Sequence, residues 1–393
     1  MKNVQNKVPS LLLMIALVGF PQISESIFTP VLPALSQTFT VSAATSQLTM
    51  GSYFVGFAIG VLFWGRLSDR IGRRPAMLWG IAVYLVGNLG LWLATNFTWL
   101  LLARLLQAYG AAAGSVVTQT MMRESFSGVT GERVFAKVSA AMALAPALGP
   151  LIGGALQTYY GDYHSVFAGL ITMAVGLWLY TLTRLPETKG TGAKQQALPW
   201  PKIARRMLRS PQVWVYGILI SGINGILFSY YAEAPFIFER EFGLTAVQYG
   251  WLGLVIASAS IIGALATNVL APRMTAQHII NGGLLLALVG AVGMLGSAYH
   301  LGLSLAAIFA TFCGLYTALP LVLNRALIGF EDVIGTASGL LSFCYYLVIS
   351  ALTLLMSRMH DGTVNALPRY VLLVVVGMVL ASLVETVRQA RAV

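Results

Sequence analysis

The sequence predicts an all-α membrane protein of twelve transmembrane helices in two pseudo-symmetric six-helix bundles. Three observations lead there. Of 393 residues, 57% are hydrophobic and 9% charged, and the mean hydropathy is +0.78. A soluble domain could not hide that much apolar surface. The apolar residues also come in unbroken runs near the roughly 20 residues a helix needs to cross a bilayer, where a β-barrel would alternate. Finally, only one polar stretch between the runs is long, and it lies near the middle of the chain.

Taken in order, Lys2 and Lys7 precede an apolar run from about Leu11 past Pro21 to about Leu32. No small-residue cleavage pattern follows its first ten apolar residues, so the run reads as an uncleaved span 1 rather than a signal peptide. Span 2 covers about Gln47 to Trp64, span 3 Pro75 to Leu93 and span 4 Trp99 to Met121. Span 5 covers Phe135 to Gln157 and span 6 Ser165 to Leu182. Residues 185–210 are polar and basic and read as a linker, which makes 1–184 one six-helix bundle and 211–393 the other. Spans 7 to 12 then cover about Gln212–Phe238, Tyr249–Leu270, Ile279–Ala298, Leu301–Leu323, Ile334–Ser357 and Leu367–Val387.

Charge placement sets the orientation. With the N-terminus inside, the outer loops hold only Arg240, Arg358 and Arg369 of the 24 lysines and arginines, and Arg104 lies within span 4. All others fall on the inner side, so both termini are expected in the cytoplasm of a bacterium, with the chain in its inner membrane. The same asymmetry accounts for the net charge of +11 without nucleic acid. Cys313 and Cys344 sit inside apolar runs and read as packing residues. His164, His278, His300 and His360 stand near span ends, where an interfacial role is the default. No metal-ligand spacing, nucleophile–base pair or nucleotide-binding loop is present, which argues against an enzyme and predicts no cofactor.

The densest charge lies at Gly65 to Arg74, GRLSDRIGRR, between spans 2 and 3. It reads as a tight hairpin at the membrane surface. A positive-inside anchor would need only the arginines. Asp69 and Gly72 ask for more: an acceptor for an arginine or a helix N-terminus, and a close approach of two helices. The stretch resembles the loop between helices 2 and 3 of the major facilitator superfamily, G-x-L-(A/S)-D-R-x-G-R-(K/R), with Gly65, Leu67, Asp69, Arg70, Gly72, Arg73 and Arg74 at its defining positions. Span 5 contains APALGPLIGG, whose Gly149, Pro150, Gly153 and Gly154 resemble the G-P-x-x-G-G motif of the superfamily's antiporter branch. With Pro146, this run would bend the helix and bring a neighbour close, serving as a hinge and a seal against leak. Arg104 and Gln107 match the branch's R-x-x-Q-G pattern, with the glycine displaced to Gly110. TPVLPAL in span 1, MMRESF after span 4 and RLPET at Arg184–Thr188 add similarity to the twelve-helix Bcr/CflA-like drug:proton antiporters. That group often has aspartate where this chain has Glu25, and G-W-R-W where it reads GDYHSVF.

The resemblance implies the major facilitator fold, alternating access, and export of drug-like or amphipathic molecules in exchange for protons by a functional monomer. Export of an endogenous metabolite and proton-coupled uptake are the alternatives. It also implies that Asp69 faces the start of span 11, near Ile334 to Thr336, and latches the cytoplasmic side.

Intramembrane charge marks candidate sites, because it is costly there. Glu25 and Arg104 lie at similar depth, roughly 12 Å and 9 Å from the outer end by helical rise. They face each other either as a structural ion pair or as a proton-carrying Glu25 tuned by Arg104. Glu233 in span 7 lines the same cavity from the other half, or else is an interfacial carboxylate. Gln22, Tyr53, Asn224, Phe228, Tyr230, Tyr231, Tyr316, Tyr345 and Tyr346 outline an apolar, aromatic cavity suited to amphipathic or cationic organic molecules. Any single one of the aromatics could instead face lipid.

Overall fold

The computed structural model describes residues 8–126, 128–189, 200–297 and 299–391. No strand occurs among the described residues. The helices are α1 (Leu11–Ser26), α2 (Leu32–Thr38), α3 (Ala43–Ile71), α4 (Arg73–Trp92), α5 (Phe97–Ser125), α6 (Gly128–Tyr160) and α7 (His164–Arg184). A short α8 (Trp200–Leu208) follows, then α9 (Pro211–Arg240), α10 (Ala246–Leu270), α11 (Ala276–Ser297), α12 (Leu301–Arg325), α13 (Ile334–Met359) and α14 (Ala366–Arg391). Among the described residues eleven spans are long and apolar enough to cross a membrane, α1 and α2 counting as one. The twelfth expected span falls in α6, where several side chains lie outside the described set. Leu12, Leu285 and Val289 are exposed on the outside of the bundle, as lipid-facing side chains must be.

Local chemistry starts and stops these helices. Ser10, Ser42 and Asn96 accept from backbone N–H groups in the first turns of α1, α3 and α5, and Thr245 and Gln248 form a reciprocal capping box on α10. Span 1 is not one continuous helix ending near Leu32. It breaks after Ser26, passes through a 3₁₀ turn (Thr29–Val31) and resumes as α2. Pro30 and Pro33 are the cause, since neither carries the N–H that would continue the ladder. Span 2, expected to end at Trp64, runs on through Ile71, so most of the arginine-rich stretch is helical.

Pseudo-symmetry shows in the packing. In the first half α4 and α5 meet where a Cβ on Gly80 would lie 3.3 Å from the Gly110 carbonyl. In the second, α11 and α12 meet where a Cβ on Gly283 would lie 2.6 Å from the Gly314 carbonyl. Both crossings need small residues on both faces. α8 lies within the stretch read as a plain linker. Its Ile203 and Met207 are buried while Arg205 and Arg206 point out, and Arg206 pairs with Asp332 at 2.9 Å.

The two halves close on each other at one end. At the end away from the Gly65–Arg74 stretch, Ser350 Oγ donates to the Gly51 carbonyl (2.9 Å) and Ser357 Oγ to the Ala44 carbonyl (2.6 Å). A Cβ on Gly154 of α6 would clash with the carbonyl of Ala246, the first residue of α10, and one on Gly250 would lie 2.8 Å from the Pro150 carbonyl. At the arginine-rich end, among the described residues, no hydrogen bond or ion pair joins the halves directly. There α8 touches both, with Arg66 over the Trp200 ring at 5.5 Å.

Candidate functional site

The break in span 1 builds the centre of the molecule. A helix end leaves its last carbonyls without intrahelical donors, and here those include Ser24 and Glu25. Arg104, wholly buried on α5, takes them: its guanidinium donates to the Ser24 carbonyl at 3.1 Å and the Glu25 carbonyl at 3.2 Å. It also donates to Gln107 Oε1 at 2.5 Å, and Gln107 in turn donates to Asn88. The rings of Phe28 and Tyr53 lie 4.4 Å from the guanidinium carbon, close enough for cation–π attraction. Tyr53 is pinned by its hydroxyl to the Pro21 carbonyl (3.0 Å), and Tyr84 to Ser24 Oγ (3.1 Å).

This corrects the expected pair. Arg104 reaches the backbone oxygen of Glu25, not its carboxylate, and the two form no salt bridge. The charge is held by neutral dipoles and ring faces. Glu25 remains within electrostatic reach of Arg104, and its side chain is half-buried. It also lies within electrostatic reach of the hydroxyls of Tyr53 on α3, Tyr231 on α9, Tyr316 on α12, and Tyr345 and Tyr346 on α13. Tyrosines of both halves therefore lie within electrostatic reach of Glu25. Phe54 and Phe228 bridge the halves with centroids 4.4 Å apart, and Phe57 meets Tyr346 at 4.7 Å.

The remaining cavity candidates divide. Gln22, Tyr316 and Tyr345 are half-buried, and Tyr345 packs on Tyr346. Tyr230 is buried against Phe312. The Asn224 amide turns back onto the Ile220 carbonyl of its own helix at 2.9 Å. Glu233 is not a second carboxylate in this space. It is 1% exposed and accepts from Gln47 Nε2 (2.5 Å) and from His360 Nδ1 (2.8 Å), at the closed end. His360, whose place near a span end suggested an interfacial role, is thus bonded to a buried carboxylate. Its ring lies half-buried at the end of α13.

In the α6 motif, a Cβ on Gly149 or Gly153 would strike Ser26 or Ile27 at the break of span 1, while Gly154 faces α10. One motif therefore seats α6 on its own half and on the other half. Of Pro146 only the helical backbone is described, and its side chain lies outside the described set.

The arginine-rich stretch turns at a single residue, Gly72, with φ 103° and ψ 162°. Gly65 makes no close approach: a Cβ there would meet Val116 at an ordinary 3.6 Å. Arg73 is the hub. It donates to Asp69 (2.5 Å), Ser68 (2.8 Å) and Glu124 (2.6 Å). Glu187 caps the start of α4, accepting from the backbone N–H of Arg73 (2.9 Å) and Arg74 (3.1 Å). Partial burial acts to raise its carboxyl, but the N–H groups of Lys189, Arg73, Arg74 and Thr188 outweigh this and hold it below the ordinary range. Arg74 also donates to the Leu182 carbonyl, and the Arg70 carbonyl accepts from Lys189. All these partners belong to the first half and its exit. Asp69 does not meet the start of α13 here; it pairs with Arg73 and is 67% exposed.

The sequence model of the Major Facilitator Superfamily matches residues 14–353. The chain belongs to this superfamily. It is 31% identical over 372 residues to an uncharacterized transporter of Rickettsia bellii, covering 91% of this chain and 92% of that one. It is 28% identical over 328 residues to a chloramphenicol resistance protein of Pseudomonas aeruginosa, covering 81% and 76%. A bacterial homologue of the human lysosomal transporter Spinster has the same fold, with a TM-score of 0.74 at 15% identity over 95% of this chain and 94% of that one. The all-helical major facilitator fold is therefore established, and the chain is a transporter.

Within that fold, the reading of the sequence missed Gln47, Ser24, Asn88 and Phe28. A signal existed for the carbonyl acceptors: two prolines four and seven residues after Ser26 announce a helix end. Trp200, Ile203 and Met207, spaced three and four apart, likewise announced α8. Nothing local paired Gln47 with Glu233, which is 186 residues away.

Proposed function

We propose that this protein is a proton-coupled antiporter of the bacterial inner membrane, with both termini and the arginine-rich end cytoplasmic. It exports amphipathic or cationic drug-like molecules by alternating access. The observation that carries the reading is the position of Glu25. Its carboxylate lies within electrostatic reach of tyrosines of both halves and beside the buried guanidinium of Arg104, with which, among the described residues, no carboxylate forms an ion pair. Such a group exchanges a proton for an organic cation: protonated, it suits an apolar space; ionised, it attracts positive charge. Arg104 opposes the entry of cations when Glu25 is protonated and steadies the carboxylate when it is not. Related proteins bearing drug-resistance names support export, and the antiporter-type motif in α6 supports exchange.

The test uses inside-out vesicles made acidic inside. Wild-type protein accumulates ethidium in a gradient-dependent manner, with chloramphenicol as a neutral second probe. Glu25→Gln abolishes accumulation of the cation. Equal gradient-driven uptake in Glu25→Gln would remove Glu25 as the coupling group.

A further inference from the structure

The closed end carries a titratable cluster that the transport site does not use. Glu233 on α9 and His360 at the end of α13 belong to the second half; Gln47 on α3 belongs to the first. His360 Nδ1 lies 2.8 and 2.9 Å from the two carboxylate oxygens, so a proton lies between ring and carboxylate. Gln47 Nε2 donates to Oε2 from across the boundary at 2.5 Å. The Gln47 and Glu233 side chains are 1% exposed, while His360 reaches the surface with 12%. The contact sits among the other bonds between the halves, one turn from Ala44–Ser357 and Gly51–Ser350.

We propose that Glu233 and His360 form a proton-binding site separate from Glu25, and that the proton bound there holds the two halves shut at the end away from the arginines. A carboxylate buried this deeply and facing only an amide needs a compensating proton nearby. The pair holds one proton between its members, whichever atom carries it. Opening this end brings water to both groups. Above the ordinary histidine range the imidazole then loses its proton, and the pair is empty. Closure takes up one proton and opening releases it.

The surroundings agree in sign. The hydrogen bond to Glu233 raises His360 above 6.5, burial opposes it, the charge of Glu233 adds to it, Arg240 opposes and Asp361 adds. Asp361 is itself paired with Arg369 at 3.1 Å, and Arg240 lies over the Phe236 ring, which packs against His360 with centroids 5.9 Å apart. From α3 only the neutral Gln47 faces the pair. Because the proton is bound more tightly when closed, closure is favoured below the ordinary histidine range and lost as pH rises through the raised value. Between those limits one proton changes the closed-to-open ratio by up to about tenfold per pH unit.

The experiment reads distance and needs no transport, so it stands whether or not Glu25 carries a proton. Spin labels are placed on the exposed residues Gln37, at the end of α2, and Glu241, just after α9, in protein whose Cys313 and Cys344 are replaced by alanine. Double electron–electron resonance is recorded in lipid nanodiscs from pH 5 to 9. The short-distance population is expected to dominate at low pH and to give way to a longer one as pH rises. His360→Gln removes the pH dependence, and Glu233→Gln shifts its midpoint down toward the ordinary histidine range. A wild-type distribution that does not move with pH overturns the proposal. A shift that survives unchanged in His360→Gln does so as well, because it places the titration elsewhere.

Discussion

Replacing Gly72 with alanine tests whether the arginine-rich hairpin is built as described. Gly72 sits at φ 103°, ψ 162°, a region essentially reserved for glycine and worth about 1–3 kcal/mol of strain to any other residue. The added Cβ would also lie 2.5 Å from Glu187 Oε2. The carboxylate must then leave the start of α4, giving up its bonds to the N–H of Arg73 and Arg74, an interaction worth about 1 kcal/mol at a partly exposed helix end. The expected loss is therefore about 2–4 kcal/mol. It is measured as the shift in the unfolding midpoint of purified protein titrated with SDS in mixed micelles. A double-mutant cycle separates the two causes. Glu187→Ala alone removes the cap, so adding Gly72→Ala to it should cost only the backbone strain, and the pair should be less destabilising than the sum by about 1 kcal/mol. Wild-type stability in Gly72→Ala would refute the single-residue turn. Strict additivity would refute the contact with Glu187.

Two other outcomes are expected. Glu187 lies below the ordinary glutamate value of 4.5 in the folded protein, so its contribution is complete above that value and lost as pH falls through the depressed one. Acid titration of the unfolding free energy should show a component that Glu187→Gln removes; identical acid limbs would discount it. Gly154→Val should drive a branched side chain into the Ala246 carbonyl, an overpacking cost of about 1–3 kcal/mol that falls only on the closed conformation. The Gln37–Glu241 label distance should lengthen at every pH, and an unchanged distance would mean that α6 and α10 do not seal this end.

Elements whose cause is local were legible before any coordinates. The apolar runs demanded membrane helices, and the G-x-L-x-D-R-x-G-R-R pattern placed a charged turn between the second and third. Arg104 and Glu25 stood out because charge in hydrocarbon needs a reason. What each charge touches was not legible. Of the two readings of Arg104 and Glu25, the structural ion pair is not formed, because carbonyls freed by a helix break take the guanidinium, and such acceptors cannot be seen in a list of charged residues. Asp69 was placed against α13, yet Arg73 lies one turn away on a neighbouring helix and takes it in this closed-end conformation. His360 read as interfacial because its partner is 127 positions distant.

Composition and pattern alone decide that this chain is helical, spans a bilayer and gathers most of its basic residues in alternate loops. The reason is that hydrocarbon admits no unpaired backbone and few charges, so every long apolar run has a single solution. The tertiary structure alone decides which end is closed and which groups close it. It brings Gln47 to Glu233, Gly154 to Ala246, and Arg104 to the carbonyls of Ser24 and Glu25. The first two pairings depend on how two six-helix bundles lean on each other. No local stretch of sequence encodes that lean by itself, because the partners that hydrogen-bond across it lie more than a hundred residues apart along the chain.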